Sequence, residues 1–364
     1  MINRLVLENL KHRKVRTTLS ALSIGFQVTM ILTVAGLSRG MLEDSARRAK
    51  NVNADIWVKP PGASVISLSG PTMPEKMMAW FREQPGVQAV SGTLVVPLTG
   101  ITTVTGLELE EFTALSGPFR FLAGGPFQGP DDLMIDSWYA QQAKKKVGDT
   151  VTFLNRDWRV CGIVEAGVLA RMMVRRDRLQ YFTNNANRVS QIFLKVDDPR
   201  NTAAIISALK KELPDYTILS IEEFLSYFNP NNVPALNAFI WVIIGLAVVV
   251  GFLVVGLTMY TTVLERTREI GILKALGAAP ADIMNLLARE TILLALGGWL
   301  AGILLSFVSN WAINHFVRAS LQSVITYDWW PIVMGISVGA ALLGAVYPGL
   351  RAARQDAIEA LAYE

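Results

Sequence analysis

Side-chain chemistry needs nucleophiles, proton carriers or metal ligands gathered in one place, and this chain is poor in all of them. Its two histidines are His12, in a basic start, and His315, beside a long apolar run, and its one cysteine is Cys161. No zinc site and no histidine-based triad can be assembled from that set. A lone cysteine forms no internal disulfide, and Cys161 is expected to be a small buried apolar residue. The adjacent acids Glu110 with Glu111 and Asp131 with Asp132 are expected to be solvated charges in polar loops. The arginines Arg171, Arg175, Arg176 and Arg178 are expected to form a solvated face, with an acidic partner or lipid head groups as the other possibility. No GxxxxGK[ST] phosphate loop occurs, so any ATP chemistry belongs to another polypeptide. No catalytic residue and no metal ligand is assigned to the chain.

A different chemistry, that of contact, is written into residues 265–290, ERTREIGILKALGAAPADIMNLLARE. Glu265 with Arg268, and Arg266 with Glu269, are spaced three apart and can pair along a helix. Ile270, Leu273 and Leu276 form an apolar stripe interrupted by Lys274. Gly277 can stop that helix, and Pro280 with Asp282 can begin another. The product is a short apolar knob suited to a groove on a partner. A plain connector at a membrane interface fits the same residues.

The elements that position this segment follow from hydropathy. With 364 residues, 51% of them hydrophobic, and a mean hydropathy of +0.35, part of the chain must meet lipid. Four uncharged runs reach the roughly 20 residues that a membrane-crossing helix needs. They give spans over 17–38, 235–264, 291–313 and 329–350. The equally long uncharged run Gln84 to Leu107 holds Pro85, Gly86, Gly92, Pro97, Gly100 and Gly106, and it reads as paired strands with turns. Small residues recur at helix-packing spacing in Gly298 with Gly302 and in Gly335 with Gly339. The spans contain no Asp, Glu, Lys, Arg or His, which argues against an ion-coupled carrier or a path for charged solutes.

Orientation follows from the flanking cations. Arg4, Lys11, Arg13, Lys14 and Arg16 precede the first span, Arg266, Arg268, Lys274 and Arg289 lie between the second and third, and Arg351 and Arg354 follow the fourth. The loop at 314–328 holds Arg318 alone. Both termini and residues 265–290 are therefore expected in the cytoplasm, and residues 39–234 on the far side. Residues 1–16 are expected as a basic helix lying in the cytoplasmic interface, and 351–364 as a cytoplasmic tail. This charge pattern suits anionic membrane lipid and not nucleic acid.

The segment 39–234 reads as mixed α+β. The first span continues outward as a helix to about Lys50. Strand-like runs occupy Asp55 to Lys59, Val87 to Val96, Thr150 to Leu154, Trp158 to Val164 and Gln191 to Val196. Helical patterns occupy Pro74 to Glu83, Thr202 to Leu213 and Ser220 to Phe228. The fold class expected is thus a membrane α+β protein, four transmembrane helices with a large extracytoplasmic α+β domain inserted between the first and second.

Several of these stretches resemble one family. ExxREIGILKALGA with Arg289 and Glu290 before a Gly-rich span, the tail Tyr347-Pro348-Gly349-Leu350-Arg351-Ala352-Ala353-Arg354, and the runs NADIWVKPPG, GPDDLMID, KKKVGDTVTF and WRVCGIV are similar to the permeases MacB, FtsX, LolC and LolE. Ala357 stands where that family usually has Pro. The resemblance implies an ABC transporter permease of the bacterial inner membrane without a fused ATPase. Its expected partners are two copies of a cytosolic ATP-binding subunit, which would hold ATP and Mg, a second permease copy in a homodimer, a periplasmic adaptor and membrane lipid. The implied activity is mechanotransmission to the external domain for export or extraction of a lipidic, peptide or drug-like substrate, with coupling through Glu265, Arg268, Glu269, Ile272, Lys274, Leu276 and Gly277. An FtsX-like regulator that activates a cell-wall hydrolase without transport is the alternative.

Overall fold

A computed structural model describes residues 14–64, 70–98, 102–227, 234–316 and 322–354. The expected interfacial helix at 1–16 and tail at 351–364 lie largely outside these residues, as do His12, Arg318 and Ala357. In chain order the elements begin with helix α1 (Lys14–Lys50), strand β1 (Ile56–Lys59), β2 (Met73–Pro74), α2 (Met77–Arg82), β3 (Val87–Pro97) and β4 (Thr103–Leu107). There follow α3 (Leu109–Ser116), β5 (Phe121–Gly124), β6 (Asp132–Asp136), α4 (Ser137–Ala143), β7 (Thr150–Phe153) and β8 (Arg156–Val164). Next come β9 (Met172–Arg175), α5 (Arg176–Phe182), β10 (Arg188–Val189), β11 (Gln191–Val196), α6 (Thr202–Glu212), β12 (Thr217–Ser220) and α7 (Ile221–Ser226). The chain closes with α8 (Pro234–Glu265), α9 (Thr267–Ala275), α10 (Pro280–Phe316) and α11 (Trp329–Arg354).

Two compact units result: residues 1–39, 235–314 and 323–364 form one, and residues 40–234 with 315–322 form the other. Among the described residues, α1, α8, α10 and α11 are long and apolar enough to cross a membrane. Their shared core holds Ile24, Val28, Ile31, Ile244, Ala247, Val255, Ala295 and Ala341. Leu246, Val249, Val250 and Leu253 on α8 are exposed, as expected of a helix whose other solvent is hydrocarbon. Hydroxyls inside α1 find their acceptors on α10 or on their own backbone: Thr29 Oγ1 donates to the Gly25 and Gly302 carbonyls, and Thr33 Oγ1 to Ser309 Oγ. With no water at that depth, hydroxyls gain from such internal partners, although the Nε2 of buried Gln27 has none among the described residues.

The other unit is built on a ten-stranded mixed sheet in the order β12-β1-β11-β3-β4-β9-β6-β8-β5, with β7 also pairing β8. The pairs β4 with β9 and β6 with β8 are parallel, and the remaining pairs are antiparallel. The uncharged run after Gln84 is the antiparallel hairpin of β3 and β4. The turn between β7 and β8 takes Leu154 and Asn155 through positive φ, and it closes the register at Phe153 opposite Arg156. Both mirror-type turn residues match the strand twist, which is how a two-residue hairpin closes. Buried Trp158 stacks on Phe153, centroids 5.0 Å apart. Burial pushes the half-buried Cys161 thiol up to about 12.

Two expectations about charge are overturned in this unit. Arg171 is buried, not solvated, 2.6 Å from buried Asp44, and its guanidinium lies 3.7 Å over the Trp138 ring. Arg48 also bonds Asp44, and Asp136 lies 4.0 Å from Arg171. Burial lowers Arg171 from its ordinary value against the pull of Asp44, and burial raises Asp136. Arg176 is likewise buried, between Glu75 at 2.8 Å and Glu111 at 2.7 Å, and it donates to the Gly92 carbonyl. Arg178 pairs with Asp131, while Arg175 and Asp177 pair in the open. The acids change place for the same reason. Asp132 is buried at the start of β6, where burial raises its carboxyl but the Gly129 and Gln128 amides and Arg159 outweigh that and hold it below the usual range. Desolvated charge is tolerated only when such partners are in place.

Candidate coupling site

The segment after the second candidate span is a rigid piece of structure. Helix α8 ends at Glu265, and Arg266 leaves the helical region with φ −113° and ψ 16° before α9 begins. The hydroxyl of buried Thr267 donates to the Val263 and Leu264 carbonyls at the end of α8, and the Arg266 amide also donates to the Val263 carbonyl. The Arg266 guanidinium lies 2.8 Å from Glu269 on α9 and 3.3 Å from buried Glu290 on α10. It therefore ties α9 to α10, with the Glu290 end of the tie buried and the Glu269 end open to solvent.

The end of α9 is a complete Schellman stop. The Gly277 amide donates to the Lys274 carbonyl and the Ala278 amide to the Leu273 carbonyl, with Gly277 at φ +95°. Any side chain there would be strained. Pro280 opens α10 and the Asp282 carboxylate accepts from the Ala279 amide, half of a capping box. Between these caps, Ile270 is buried with Val263, Ile283, Leu287 and Ala352, and Leu273 packs on the same cluster. Lys274 Nζ donates to the Ala353 carbonyl, 2.8 Å away, at the end of α11. A cation at a helix C-terminus also meets the negative end of its dipole.

What remains turned outward is Leu276, 80% exposed, with Ile272, 46% exposed, and the charged Arg268 and Glu269. The single stripe Ile270, Leu273, Leu276 thus splits, two residues going into the core and the third away from it. The same division separates the sequence-derived residues: Lys274 and Gly277 hold the segment, whereas Glu269, Ile272 and Leu276 form its outer face. Glu265 and Arg268 are exposed beside them. Arg266 and Glu290 carry the main tie and were not among the selected residues. Their signal was one buried acid, 24 positions away from the arginine, just before an uncharged span.

The glycines also divide. A Cβ on Gly298 would lie 2.6 Å from Ile24 Cβ, and one on Gly302 2.5 Å from Val28 Cβ, so these two seat α1 against α10. At Gly335 and Gly339 a Cβ would meet nothing within 4 Å. Among the described residues no group of three or more His, Cys, Asp or Glu could hold a metal ion.

Two family models cover most of the chain. The MacB-like periplasmic core domain matches residues 17–212 and the FtsX-like permease C-terminal domain matches residues 241–357. The chain belongs to the MacB/FtsX family of ABC transporter permeases. An ABC transporter permease of Mycobacterium tuberculosis is 25% identical over 93% of this chain and 95% of its own length. The macrolide export ATP-binding/permease protein MacB of Escherichia coli is 22% identical over 99% of this chain and 60% of its own length. The periplasmic region of MacB from Actinobacillus actinomycetemcomitans is a similar solved structure, with 15% identity and a TM-score of 0.37 over 48% of this chain and 92% of that one. The extracellular domain of the ABC-type transporter YknZ gives the same identity and TM-score over 46% and 100%. The protein is therefore a membrane permease with an α+β domain of periplasmic type between its first two candidate spans, and its family implies a partner ATP-binding subunit.

Proposed function

We propose that the chain transmits force: a separate ATP-binding subunit grips the α9 face from the cytosol, and the permease delivers the motion to its α+β domain on the other side of the inner membrane. The carrying observation is a leucine, Leu276, held 80% exposed at the end of a helix that is otherwise tied down by Arg266, Glu290, Ile270 and Lys274. An exposed apolar group on a mobile loop transmits little, whereas one on a braced helix moves its whole support. In this reading Leu276 and Ile272 fill a groove on the partner, Glu269 and Arg268 fix the register from the rim, and ATP and Mg stay in the partner's two copies. Two permease copies form the membrane core, with both termini cytoplasmic.

The substrate is then handled on the outer side, as export or extraction of a lipidic, peptide or drug-like molecule, with an adaptor as a further partner. Similarity to a macrolide exporter supports export over hydrolase activation. The test is ATP hydrolysis by the permease co-purified with its ATP-binding subunit in lipid nanodiscs. Glu269→Ala with Leu276→Ala is expected to abolish the permease-dependent part of the rate. Full stimulation in that double variant would defeat the assignment.

A further inference from the structure

Helix α10 begins at Pro280, directly after the coupling turn, and runs unbroken to Phe316, while α1 runs unbroken from Lys14 to Lys50. These two helices are far apart in sequence, yet three kinds of contact hold them along one seam. In the lower part, backbones meet through small residues: a Cβ on Gly298 would lie 2.8 Å from the Ala21 carbonyl oxygen, and one on Gly302 would lie 2.7 Å from that of Gly25. Such approach maximises dispersion contact, the main cohesive force between helices in hydrocarbon. Midway, Thr29 Oγ1 donates to the Gly302 carbonyl at 3.1 Å, and Thr33 Oγ1 to Ser309 Oγ at 3.1 Å.

At the upper end the segment leading into α11 straps α1. The Val324 amide donates to the Gly36 carbonyl, and Arg39 lies 2.7 Å from Asp328. A side chain at Gly36 would collide with the Val324 carbonyl. The strap is fastened to α10 in turn. Asn314 Nδ2 donates to the Ser323 carbonyl, the Ser323 amide donates to Asn314 Oδ1, and Asn310 Nδ2 donates to Ser323 Oγ.

We infer that α1 and α10 form one lever: force entering at α9 passes to α10 and is carried outward by α1, the two helices moving without sliding on each other. This rests on the coupling reading above and names its path. Gly25, Gly298, Gly302 and Thr33 are positioning residues in it. Helix α9 reaches α10 through Arg266 with Glu290 and through Ile270 packed with Ile283 and Leu287. A seam closed by backbone contact has little room for graded movement, so the pair shifts together or separates.

The test uses the permease with its ATP-binding subunit in nanodiscs, Cys161 replaced by alanine, and Thr33→Cys with Ser309→Cys placed where two side-chain oxygens now lie 3.1 Å apart. Oxidation is expected to form a disulfide with the same yield, within about twofold, in nucleotide-free and in ATP-vanadate samples, and to leave ATP hydrolysis within about twofold of the reduced complex. Absence of the disulfide, a several-fold fall in yield with ATP-vanadate, or loss of hydrolysis regained on reduction would each overturn the lever. A second variant, Gly302→Val, wedges the seam and is expected to cut permease-dependent hydrolysis about tenfold, whereas Gly339→Val leaves it unchanged. Equal hydrolysis in those two variants would also overturn it. Should Gly302→Val fail to fold, the disulfide pair still decides. Indifference of the unmodified complex to Leu276→Ala would instead defeat the coupling reading.

Discussion

The α+β unit and the coupling segment treat exposed-looking groups in opposite ways. Around Asp44, charges that could have met solvent are drawn inward: Arg171 and Arg48 pair with it, Asp136 lies 4.0 Å from Arg171, and Trp138 covers the guanidinium. Around α9 the reverse holds, since Leu276 could have joined Ile270 and Leu273 in the core but is turned out. Buried ions add rigidity, because a partner left alone in low dielectric is costly. A leucine in the open adds nothing to the chain's own stability. On the proposed coupling reading, the difference separates residues that hold the scaffold from residues kept for another molecule.

Substitutions should follow that division. Arg171→Met leaves buried Asp136 without its cation and Asp44 with Arg48 but not Arg171, and it is expected to destabilise the α+β unit by about 3 kcal/mol, read from urea unfolding of the full chain by tryptophan fluorescence. A change of less than half that size would mean that water reaches the cluster. Next comes Lys59, buried on β1 with its ammonium donating to the Ser64 carbonyl and lying 4.8 Å from the Trp57 ring. Burial lowers its pKa to about 8 from 10.5. Between those values the unfolded chain binds more protons than the folded one, so stability is expected to rise with pH across that window. Lys59→Met should remove this rise and add about 2 kcal/mol at pH 7. A retained slope in the variant would assign the dependence to another group.

The smallest effect on stability and the largest on function belong together at Leu276. Leu276→Asp is expected to change unfolding by less than about 0.5 kcal/mol while abolishing permease-dependent ATP hydrolysis in the partner complex. Arg171→Met should show the opposite balance wherever the protein still folds. If both variants lost stability and coupling in proportion, the separation of scaffold from contact would be wrong.

Much of the architecture was legible because lipid imposes long uncharged runs, and four of them stand out by composition alone. The hairpin after Gln84 was legible through its Pro and Gly residues, whereas the turn at Leu154 and Asn155 between β7 and β8 carried no Gly to mark it. The ion pairs were not. Asp44 and Arg171 are 127 positions apart, and nothing in local spacing distinguishes them from solvated charges. The glycines make the same point: Gly298 with Gly302 and Gly335 with Gly339 have identical spacing, but α1 presses on the first pair alone. Within the coupling segment the caps at Gly277, Pro280 and Asp282 could be read directly, since each acts on its own backbone. The split between Ile270 and Leu276 could not, because it depends on where Ile283, Leu287 and Ala352 arrive.

Everything mechanical here requires the α9 face and the α+β domain to lie on opposite sides of the membrane. In a Cys161→Ala background, Leu276→Cys and Tyr181→Cys place single thiols at two exposed positions, 80% and 74% accessible. With the permease expressed without its ATP-binding subunit, a membrane-impermeant maleimide applied to intact spheroplasts is expected to label the cysteine at 181 at once and the one at 276 only after the membrane is permeabilised. Equal labelling of both before permeabilisation, or labelling at 276 alone, would contradict a force path running from the cytosol to the outer domain.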